Sequence, residues 1–562
     1  MKTQLEFPKM QMPVFLKGFL LHIVFCIASP GHTQSVQLTS SNLPIVIIDT
    51  DGQSILDDPR NPARMGIVFN PDGARNRISD RFNGYDGRIS IEIRGKSSLM
   101  FPKKSYGFET QDGLGGNRNA ALLGMPEEND WILYAAYNDK TLLRNVLAFH
   151  LARSMGRYAS RTRFCELVVD GDYLGIYILM EKIKRDSNRV NISELGETDI
   201  SGDAVTGGYI IKVDKEEEGS RSWRSFSGIA LRGWNPFLFQ YHYPESAKIV
   251  PEQEQVIRHF ILDFETALNR PDFKNPKTGY ARFIDVNSFV DHFILRELAK
   301  EIDSYKFSTY LVKDRDSKNG KLFMGPFWDF DLGFGNVDFG HERAMFTDGW
   351  MYDQFNPHMY WWARLMQDRN FRAHLYGRWR DLRGRSFHSD SIRVFLESMK
   401  ARIDEARGRN FERWPVLGQY VWPNYYIGAT YEDEFDYLQD WIVNRLQWMD
   451  GNIAPTDPSA VAEGGRNESE LTSGFQIHPN PFHSSINIKV PIHSPGQVVV
   501  RLYNILGREI RTLSNSFQVV GEFGCTWNGL DQYGDPVAPG LYICSILKDG
   551  NVIAGSKIVK RD

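Results

Sequence analysis

Three aspartates near the middle of the chain have a spacing that suits metal-dependent phosphoryl transfer. Asp303 lies at the end of a predicted helix, and Asp329 and Asp331 follow two predicted strands. Because these strands, residues 307–313 and 321–327, would form a hairpin, the chain beyond them can fold back toward Asp303. Carboxylate oxygens bind Mg²⁺ or Mn²⁺, and a free carboxylate can orient a hydroxyl nucleophile. The alternative is that these aspartates cap turns and remain solvated.

A lysine-rich segment earlier in the chain could contact the phosphates of a nucleotide. If residues 103–109 form a strand, its aromatic residues share the core face, and Lys103 lies on the other face with Ser105 and Gly107. These small residues leave room for a ligand, so Lys103 is the first candidate for a phosphate contact and Lys104 the second. Two solvated lysines on an edge strand are the alternative.

Arg94 and Glu181 complete the candidates for cofactor binding. Arg94 opens the lysine-rich segment, and Glu181 follows the apolar run 177–180. Glu181 could pair with a lysine or line a cleft, or it could be a solvated strand end. Residues 95–97, Gly-Lys-Ser, resemble the tail of a phosphate-binding P-loop, but Ser90 occupies the position of the first glycine. We therefore exclude a P-loop.

Other common kinds of site are missing from the sequence. The histidines have no HExxH spacing, there is no GxSxG motif for a serine hydrolase, and the four cysteines form no CxxC pair for zinc. The sequence therefore favours carboxylate chemistry over hydrolysis by a serine or a zinc ion.

The elements that must position these residues are mixed. Apolar residues recur at strand spacing in residues 43–48, 88–94, 166–169 and 175–179, and at helical spacing in 140–154 and 285–300. An Asp-Gly pair between the third and fourth strands predicts a hairpin. Strands followed by helices, without strict alternation, favour an α+β fold.

The length and the net charge of the chain limit the number of domains and the kinds of partner that it can have. The chain has 562 residues, which predicts two to four folded units, and 42% hydrophobic residues, as in globular proteins. The net charge is −4, so no basic surplus indicates a nucleic-acid partner.

Composition divides the chain into four parts. Residues 1–35 combine lysines with a short apolar run, which predicts a signal peptide and no transmembrane segment in the mature chain. Residues 36–454 form the larger predicted domain. Residues 455–474, rich in Pro, Ser, Gly and Glu, are predicted to be a linker. Residues 475–562 contain short strands between glycine turns, as in a small β-sandwich.

Five ordered blocks of the larger domain resemble the spore-coat CotH kinase family. They are RGKSSLMFPKKSYGFE from residue 94, DWILYAAYNDKTLLRN from 130, GDYLGIYILMEKI from 171, GGYIIKVDK from 207, and a fifth block that contains Asp303 and WDFD (328–331). The resemblance implies a reduced, atypical protein-kinase-like fold. It also implies that ATP and a divalent metal, Mg²⁺ or Mn²⁺, serve to transfer the γ-phosphoryl group to Ser or Thr of a protein.

The same resemblance implies a role for individual residues. Lys103 resembles the phosphate-binding lysine, Asp303 the catalytic aspartate, and Asp329 a metal ligand, with Asp331 as a second ligand. The position five residues after Asp303, where such catalytic loops often carry a metal-binding Asn, is Ser308. A hydroxyl is a weaker ligand than an amide carbonyl, so metal binding or activity could be reduced.

Three functions stay open on the sequence. The first is a secreted ATP-dependent Ser/Thr protein kinase. The second is a non-catalytic kinase-like surface or structural protein, which export favours because ATP is scarce outside the cytoplasm. The third is adenylylation on the same fold. The sequence does not name an acceptor protein.

The C-terminal part resembles the FlgD-like, Por-type sorting domain of type IX secretion. The matching residues are HPNPF (478–482), VVRLYNILGREIRTL (499–513), WNGLDQYGDPVAPGLY (527–542) and a basic end. The resemblance implies an Ig-like sandwich, export through the periplasm, interaction with the type IX machinery, and a secreted or cell-surface location. An ordinary Ig-like spacer is the alternative.

The cysteines allow one further expectation. Cys525 and Cys544 lie on two predicted strands joined by a turn, so they could form a disulfide if these strands are neighbours in a sheet. Two unpaired core thiols are the alternative. Cys165 lies in the other domain and is predicted to be a buried thiol.

Overall fold

The structure is a computed structural model. It describes residues 36–217, 219–225, 237–339, 343–352, 360–454, 476–492, 495–504, 509–532, 534–548 and 551–561. The predicted signal peptide at 1–35 and the predicted linker at 455–474 lie outside the described residues.

The strands of the first 454 residues are numbered in chain order. They are β1 (Ser40–Ser41), β2 (Ile45–Asp49), β3 (Asn61–Val68), β4 (Asn76–Arg77), β5 (Tyr85–Arg94), β6 (Ser105–Gln111), β7 (Asp130–Tyr134), β8 (Thr162–Val169), β9 (Asp172–Glu181), β10 (Tyr209–Val213), β11 (Ser222–Arg224), β12 (Leu238–Tyr243), β13 (Thr309–Lys313) and β14 (Leu322–Met324).

The described α-helices all belong to this part of the chain. They are α1 (Arg144–Ser154), α2 (Pro251–Asn269), α3 (Val286–Ala299), α4 (Tyr360–Leu365), α5 (Arg369–Arg383), α6 (Ser389–Arg413) and α7 (Tyr431–Asn452). No described helix combines the length and the apolar character that crossing a bilayer requires. The mixture of strands and helices confirms the α+β prediction.

Seven strands form a closed sheet in the order β2-β3-β5-β6-β7-β9-β8. Neighbouring strands are antiparallel, except that β2 runs parallel to β8 and closes the sheet. The interior is filled by side chains of alternating residues, such as Ile89 and Ile91 of β5 and Trp131 and Leu133 of β7. The predicted hairpin is confirmed: β8 and β9 pair through a turn at Asp170 and Gly171, whose φ angles are 47° and 81°.

A second, five-stranded sheet has the order β11-β12-β10-β13-β14 and packs with helices in the largest core. Helix α3 is buried along most of its length, and the Asp285 carboxylate caps it by accepting from the amide of Ser288 at 2.7 Å. The predicted helix and its cap are therefore confirmed. The predicted hairpin is also present, because β13 pairs antiparallel with β14.

The C-terminal part contains only strands among its described elements. They are β15 (Gln476–His478), β16 (Ile486–Ile492), β17 (Gly496–Asn504), β18 (Glu509–Gln518), β19 (Gly521–Trp527), β20 (Gly540–Lys548) and β21 (Asn551–Lys560). They form a sheet β15-β16-β19 and a sheet β18-β17-β20-β21, and side chains from both share one core. This arrangement confirms the predicted all-β region.

The cysteine-bearing strands are not neighbours, so this premise of the predicted disulfide was wrong. Cys525 lies on β19 opposite Ile488, whereas Cys544 lies on β20 in the other sheet. Both thiols are free in the structure, as is that of Cys165, which is buried as predicted. The chain between β19 and β20 thus crosses from one sheet to the other.

Candidate functional site

A cavity of about 710 Å³ lies between the closed sheet and the second sheet. Ligand sites in proteins commonly enclose about 300–1,000 Å³, so the cavity has room for a nucleotide-sized molecule. The closed sheet contributes residues at the ends of its strands, among them Arg94, Ser105, Gly107, Trp131 and Met180. The opposite wall includes Asp214, Asp303, Ser308, Asp329 and Asp331.

The hairpin of β13 and β14 brings two of the predicted site residues together. Ser308 precedes β13 and Asp329 follows β14, and the Ser308 hydroxyl donates to the Asp329 carboxylate at 3.1 Å. Both residues have positive φ angles, 46° and 61°, a conformation that is uncommon for residues other than glycine. Such strained conformations occur where the surrounding structure fixes them, often at functional sites.

The buried guanidinium of Arg296, on α3, fixes both ends of this hairpin. It donates to the backbone carbonyls of Ser308 at 3.1 Å, Trp328 at 3.0 Å and Asp329 at 3.4 Å. It also pairs with the Glu301 carboxylate at 3.4 Å. One side chain thereby holds the two loops at a fixed separation. The sequence did not indicate this role, because Arg296 lies within an apolar helix and its partners are distant in the chain.

Asp331 lies deeper in the cavity wall and is held by two asparagines. Asn138 donates to its carboxylate at 2.8 Å, and Asn336 donates to its backbone carbonyl at 2.7 Å. Burial raises the pKa of the Asp331 carboxyl well above its ordinary value, and the negative charge of Asp329 raises it further. The fold therefore disfavours the state in which both carboxyl groups are ionised.

Asp303 lies on the turn that follows α3 and lines the same cavity. Its amide donates to the Glu301 carboxylate at 3.0 Å. Burial raises the pKa of the Asp303 carboxyl, and the negative charges of Asp329 and Asp214 act in the same direction. A carboxylate with a raised pKa is a better proton acceptor than one in water.

Arg94, a predicted cofactor-binding residue, lines the cavity. Its guanidinium lies 5.7 Å from the centre of the Trp328 ring, and burial lowers its pKa. Among the described residues, no carboxylate lies within ion-pair distance of Arg94. A partly buried guanidinium of this kind suits a phosphate group.

Lys103 does not share the ligand face with Ser105 and Gly107, which corrects the expected orientation. Strand β6 begins only at Ser105, and Lys103, unlike Ser105 and Gly107, is not among the residues that line the cavity. It donates to the carbonyl of Ile176 at 2.6 Å and to the side chain of Asn410 at 3.0 Å. Burial lowers its pKa to about 7. A phosphate contact would require Lys103 to give up these partners.

Lys104 and Glu181 also lie outside the residues that line the cavity. The Lys104 ammonium donates to the carbonyl of Leu99 at 2.5 Å. Glu181 is buried and accepts from the guanidinium of Arg161 at 2.6 Å and from the amide of the same residue at 2.9 Å. Of the two functions considered for Glu181, the structure shows the ion pair, with an arginine in place of a lysine.

Several residues of the cavity were not predicted as site residues. Lys212 lies on β10 and Asp214 just after it, and both line the cavity together with Lys215 and Glu217. Their segment belongs to the GGYIIKVDK block, where charged residues follow an apolar strand, and this pattern could have indicated them. The sequence did not indicate Asn138 as a site residue, because polar residues are common in loops.

A divalent cation could be held by three side chains of the cavity together with groups from outside the protein. These side chains are Asp329, Asp331 and Ser308. Within the described residues, no group of three or more His, Cys, Asp or Glu side chains could hold a metal alone. Mg²⁺, however, is usually held by one or two carboxylates together with substrate phosphates and water. The two carboxylates and one hydroxyl match that mode, and a cation would relieve the repulsion between Asp329 and Asp331.

Comparison with protein families gives two matches. The family described as CotH kinase protein matches residues 91–449, and the family described as secretion system C-terminal sorting domain matches residues 476–561. The first match includes every residue of the site described above. The second indicates a secreted or cell-surface protein. Curated proteins gave no match.

Solved structures give only partial likenesses. Dimeric latent PorU from Porphyromonas gingivalis has 19% identity over 16% of this chain and 9% of its own, with a TM-score of 0.14. The alkylpurine DNA glycosylase AlkC from Pseudomonas fluorescens has 12% identity over 37% of this chain and 52% of its own, with a TM-score of 0.13. The chain thus spans about a tenth and about half of these two proteins.

Proposed function

Since this chain belongs to the CotH kinase protein family, we propose that it is a secreted protein kinase with a reduced kinase-like fold. It would transfer the γ-phosphoryl group of ATP to a Ser or Thr hydroxyl of an exported or surface protein. The observation that carries this proposal is the convergence of Asp303, Ser308, Asp329 and Asp331 on one cavity that Arg94 also lines.

The residues that line the cavity suit the binding of ATP together with a divalent cation. Arg94 would bind the phosphates of ATP, because a guanidinium offers several donors to phosphate oxygens. Asp329, Asp331 and Ser308 would hold Mg²⁺ or Mn²⁺ against the same phosphates. When bound, such a cation would neutralise part of the negative charge on the phosphates. The aromatic and apolar residues Trp131, Met180 and Trp328 offer surfaces on which a base can pack.

Asp303 would act on the acceptor. Its carboxylate orients the Ser or Thr hydroxyl and accepts its proton as the hydroxyl oxygen forms a bond to the γ-phosphorus. The bond from the γ-phosphorus to the β–γ bridging oxygen breaks at the same time, and ADP leaves with that oxygen. The raised pKa of Asp303 makes it a stronger base for this step.

The experiment that tests the proposal uses two labelled nucleotides. The full chain is incubated with Mn²⁺ or Mg²⁺ and with ATP carrying label either at the γ- or at the α-phosphate, and label on protein is measured. Transfer of γ-label that is lost in Asp303→Ala supports a kinase. Transfer of α-label indicates adenylylation, and no transfer of either label indicates a binding or structural protein, so both results overturn the proposal.

We also propose that the C-terminal domain directs the chain to the type IX secretion machinery, after passage through the periplasm. The match of residues 476–561 to a secretion-system sorting domain supports this route. Deletion of residues 476–562 in a bacterium with that machinery is expected to stop release of the protein. Normal release of the deleted chain would contradict the proposal.

A further inference from the structure

An ion pair between two residues of the cavity connects segments from both sheets. The Lys96 ammonium lies 3.2 Å from the Glu217 carboxylate, and both residues line the cavity. Lys96 follows β5 of the closed sheet, whereas Glu217 follows β10 of the second sheet. The pair therefore joins the two sides of the cavity in the absence of a nucleotide.

Lys96 belongs to the Gly-Lys-Ser sequence that resembles the tail of a P-loop. Gly95 has a φ angle of 124°, which glycine adopts readily, and here the chain leaves β5. Residues 97–100 form a short 3₁₀ helix, and β6 follows in place of the α-helix of a P-loop. The segment is therefore not a P-loop, but Gly95, Lys96 and Ser97 line the cavity directly after Arg94 in the chain.

The Lys96–Glu217 pair lies near the residues proposed to hold the phosphates and the cation. Tyr310, which lines the same cavity, shows this through the charges around it. Burial raises the pKa of its hydroxyl, and the charges of Arg94, Asp329 and Glu217 all act on it. One hydroxyl group thus lies within electrostatic reach of all three side chains.

Lys96 can leave Glu217 at little cost. The Lys96 side chain is 55% exposed, and ion pairs between exposed side chains contribute little to stability. Glu217 would keep a partner, because it also accepts from the Lys212 ammonium at 2.8 Å. Lys103 differs, since its buried ammonium donates to the carbonyl of Ile176 at 2.6 Å.

Four lysines line the cavity, and Lys96 is the one in the same short segment as Arg94. Lys182 and Lys212 pair with carboxylates on other segments, at 3.3 and 2.8 Å. The Lys215 ammonium lies 5.0 Å from the centre of an aromatic ring. A guanidinium and an ammonium two residues apart can both donate to one chain of phosphates.

We propose that Lys96 binds the phosphates of ATP, and that Glu217 holds this lysine when no nucleotide is bound. The inference rests on the proposed kinase function, because it adds a contact and a competitor to the same site. Glu217 and the phosphates compete for one ammonium group. Removal of the Glu217 charge should therefore favour ATP, but only while Lys96 is present.

The test measures nucleotide affinity in four proteins. The full chain and its Lys96→Met, Glu217→Gln and double variants are titrated with a fluorescent ATP analogue in the presence of Mg²⁺. Lys96→Met should weaken binding about 10-fold, because a charge-assisted hydrogen bond is lost. Glu217→Gln should strengthen binding about 3-fold, as expected for release from an exposed ion pair. In the Lys96→Met background, Glu217→Gln should give no gain.

Two controls locate the effect at the phosphates and at this ion pair. Adenosine, which has no phosphates, should displace the analogue with the same affinity from the unchanged protein and from Lys96→Met. Lys489 forms a similar exposed pair with Glu522, at 2.7 Å, in the C-terminal domain. Lys489→Met should leave nucleotide affinity unchanged, and Lys96→Arg, which keeps the charge, should retain most of it. Thermal unfolding shows whether each variant is folded.

The outcomes separate this inference from the kinase proposal. Equal affinity of Lys96→Met and the unchanged protein for the analogue would overturn the inference alone. An equal gain from Glu217→Gln with and without Lys96 would also overturn it, because the two residues would then act independently. An equal loss of adenosine and ATP affinity would place Lys96 away from the phosphates.

Two further results concern both proposals. No binding of nucleotide to the unchanged protein would overturn the inference and the kinase proposal together. Binding that depends on Lys96, without transfer of γ-label to protein, would support the inference and contradict the kinase.

Discussion

Asp329 and Asp331 are held close together although their charges repel. The Asp331 pKa is raised by burial and by Asp329, so the folded protein disfavours the ionised pair. For a carboxyl with a raised folded pKa, stability is greatest below the unfolded pKa and falls as pH rises through the folded one. Near neutral pH the pair therefore destabilises the fold, and a bound cation would remove this cost.

We predict that Asp331→Asn stabilises the metal-free protein. The substitution removes one of the like charges, and its amide oxygen can still accept from Asn138. The free energy of unfolding at pH 7 should rise by about 1 kcal/mol. Denaturant unfolding without metal measures this change. Asp272→Asn, at an exposed position, serves as the control and should have no comparable effect. A destabilised Asp331→Asn would refute the interpretation.

A second prediction at this scale concerns the pH dependence of phosphoryl transfer. Because Asp303 must be ionised to accept a proton, and burial raises its pKa, kcat/KM should fall on acidification at a higher pH than for a solvated aspartate. Removing the positive charge in Lys306→Ala should move this fall to still higher pH. A profile that does not move in Lys306→Ala would mean that another group, such as ATP, sets the acid limb.

At the scale of elements, what could be predicted depends on how local the interactions are. Helix α3 and the hairpin of β13 and β14 were predicted because their caps and turn residues lie within the same short segments. The start of β6 at Ser105 was missed, so Lys103 lies before the strand and the alternation of faces that placed it beside Ser105 and Gly107 does not extend to it. Arg296 was missed because its partners come from three separate segments.

The contacts of Lys103 indicate a role in joining α6 to the closed sheet. Asn410 of α6 accepts from the Lys103 ammonium at 3.0 Å and from the amide of Ile176, on β9, at 3.1 Å. The pKa of Lys103, lowered to about 7, means that the folded state favours the neutral amine. For such a base, stability rises with pH between the folded and the unfolded pKa values.

We therefore predict that Lys103 stabilises the fold and has no direct contact with nucleotide. Lys103→Ala and Asn410→Ala should each lower the free energy of unfolding by about 2 to 4 kcal/mol. The double variant should lose less than the sum, because the two side chains share one interaction. Denaturant unfolding of all four proteins measures the coupling. Full additivity, or a folded Lys103→Ala that has lost ATP affinity, would contradict the prediction.

At the scale of the whole molecule, the cavity is built from two sheets that each have their own core. The interior of the closed sheet and the core around the second sheet are separate clusters. Arg94 belongs to the first sheet, and Asp329 follows the second. A nucleotide in the cavity would contact residues of both sheets, so its binding would strengthen the association between the two sheets. The cavity is formed by segments that are distant in the sequence. Patterns within one segment could therefore indicate Asp303, Asp329 and Asp331 as candidates, but they could not show which other segments lie around them.

The last prediction follows from this arrangement: ATP and metal together should stabilise the folded chain. A ligand that binds only the folded state at about 100 times its Kd adds about 2.7 kcal/mol to the free energy of unfolding. Mg²⁺ or Mn²⁺ with ATP should therefore raise the Tm clearly, and ATP alone should raise it less, because the phosphates would then face the unneutralised Asp329 and Asp331. Asp329→Ala should abolish the part of the shift that depends on metal. Equal shifts with and without metal, or a metal-dependent shift that persists in Asp329→Ala, would show that these carboxylates do not hold the cation.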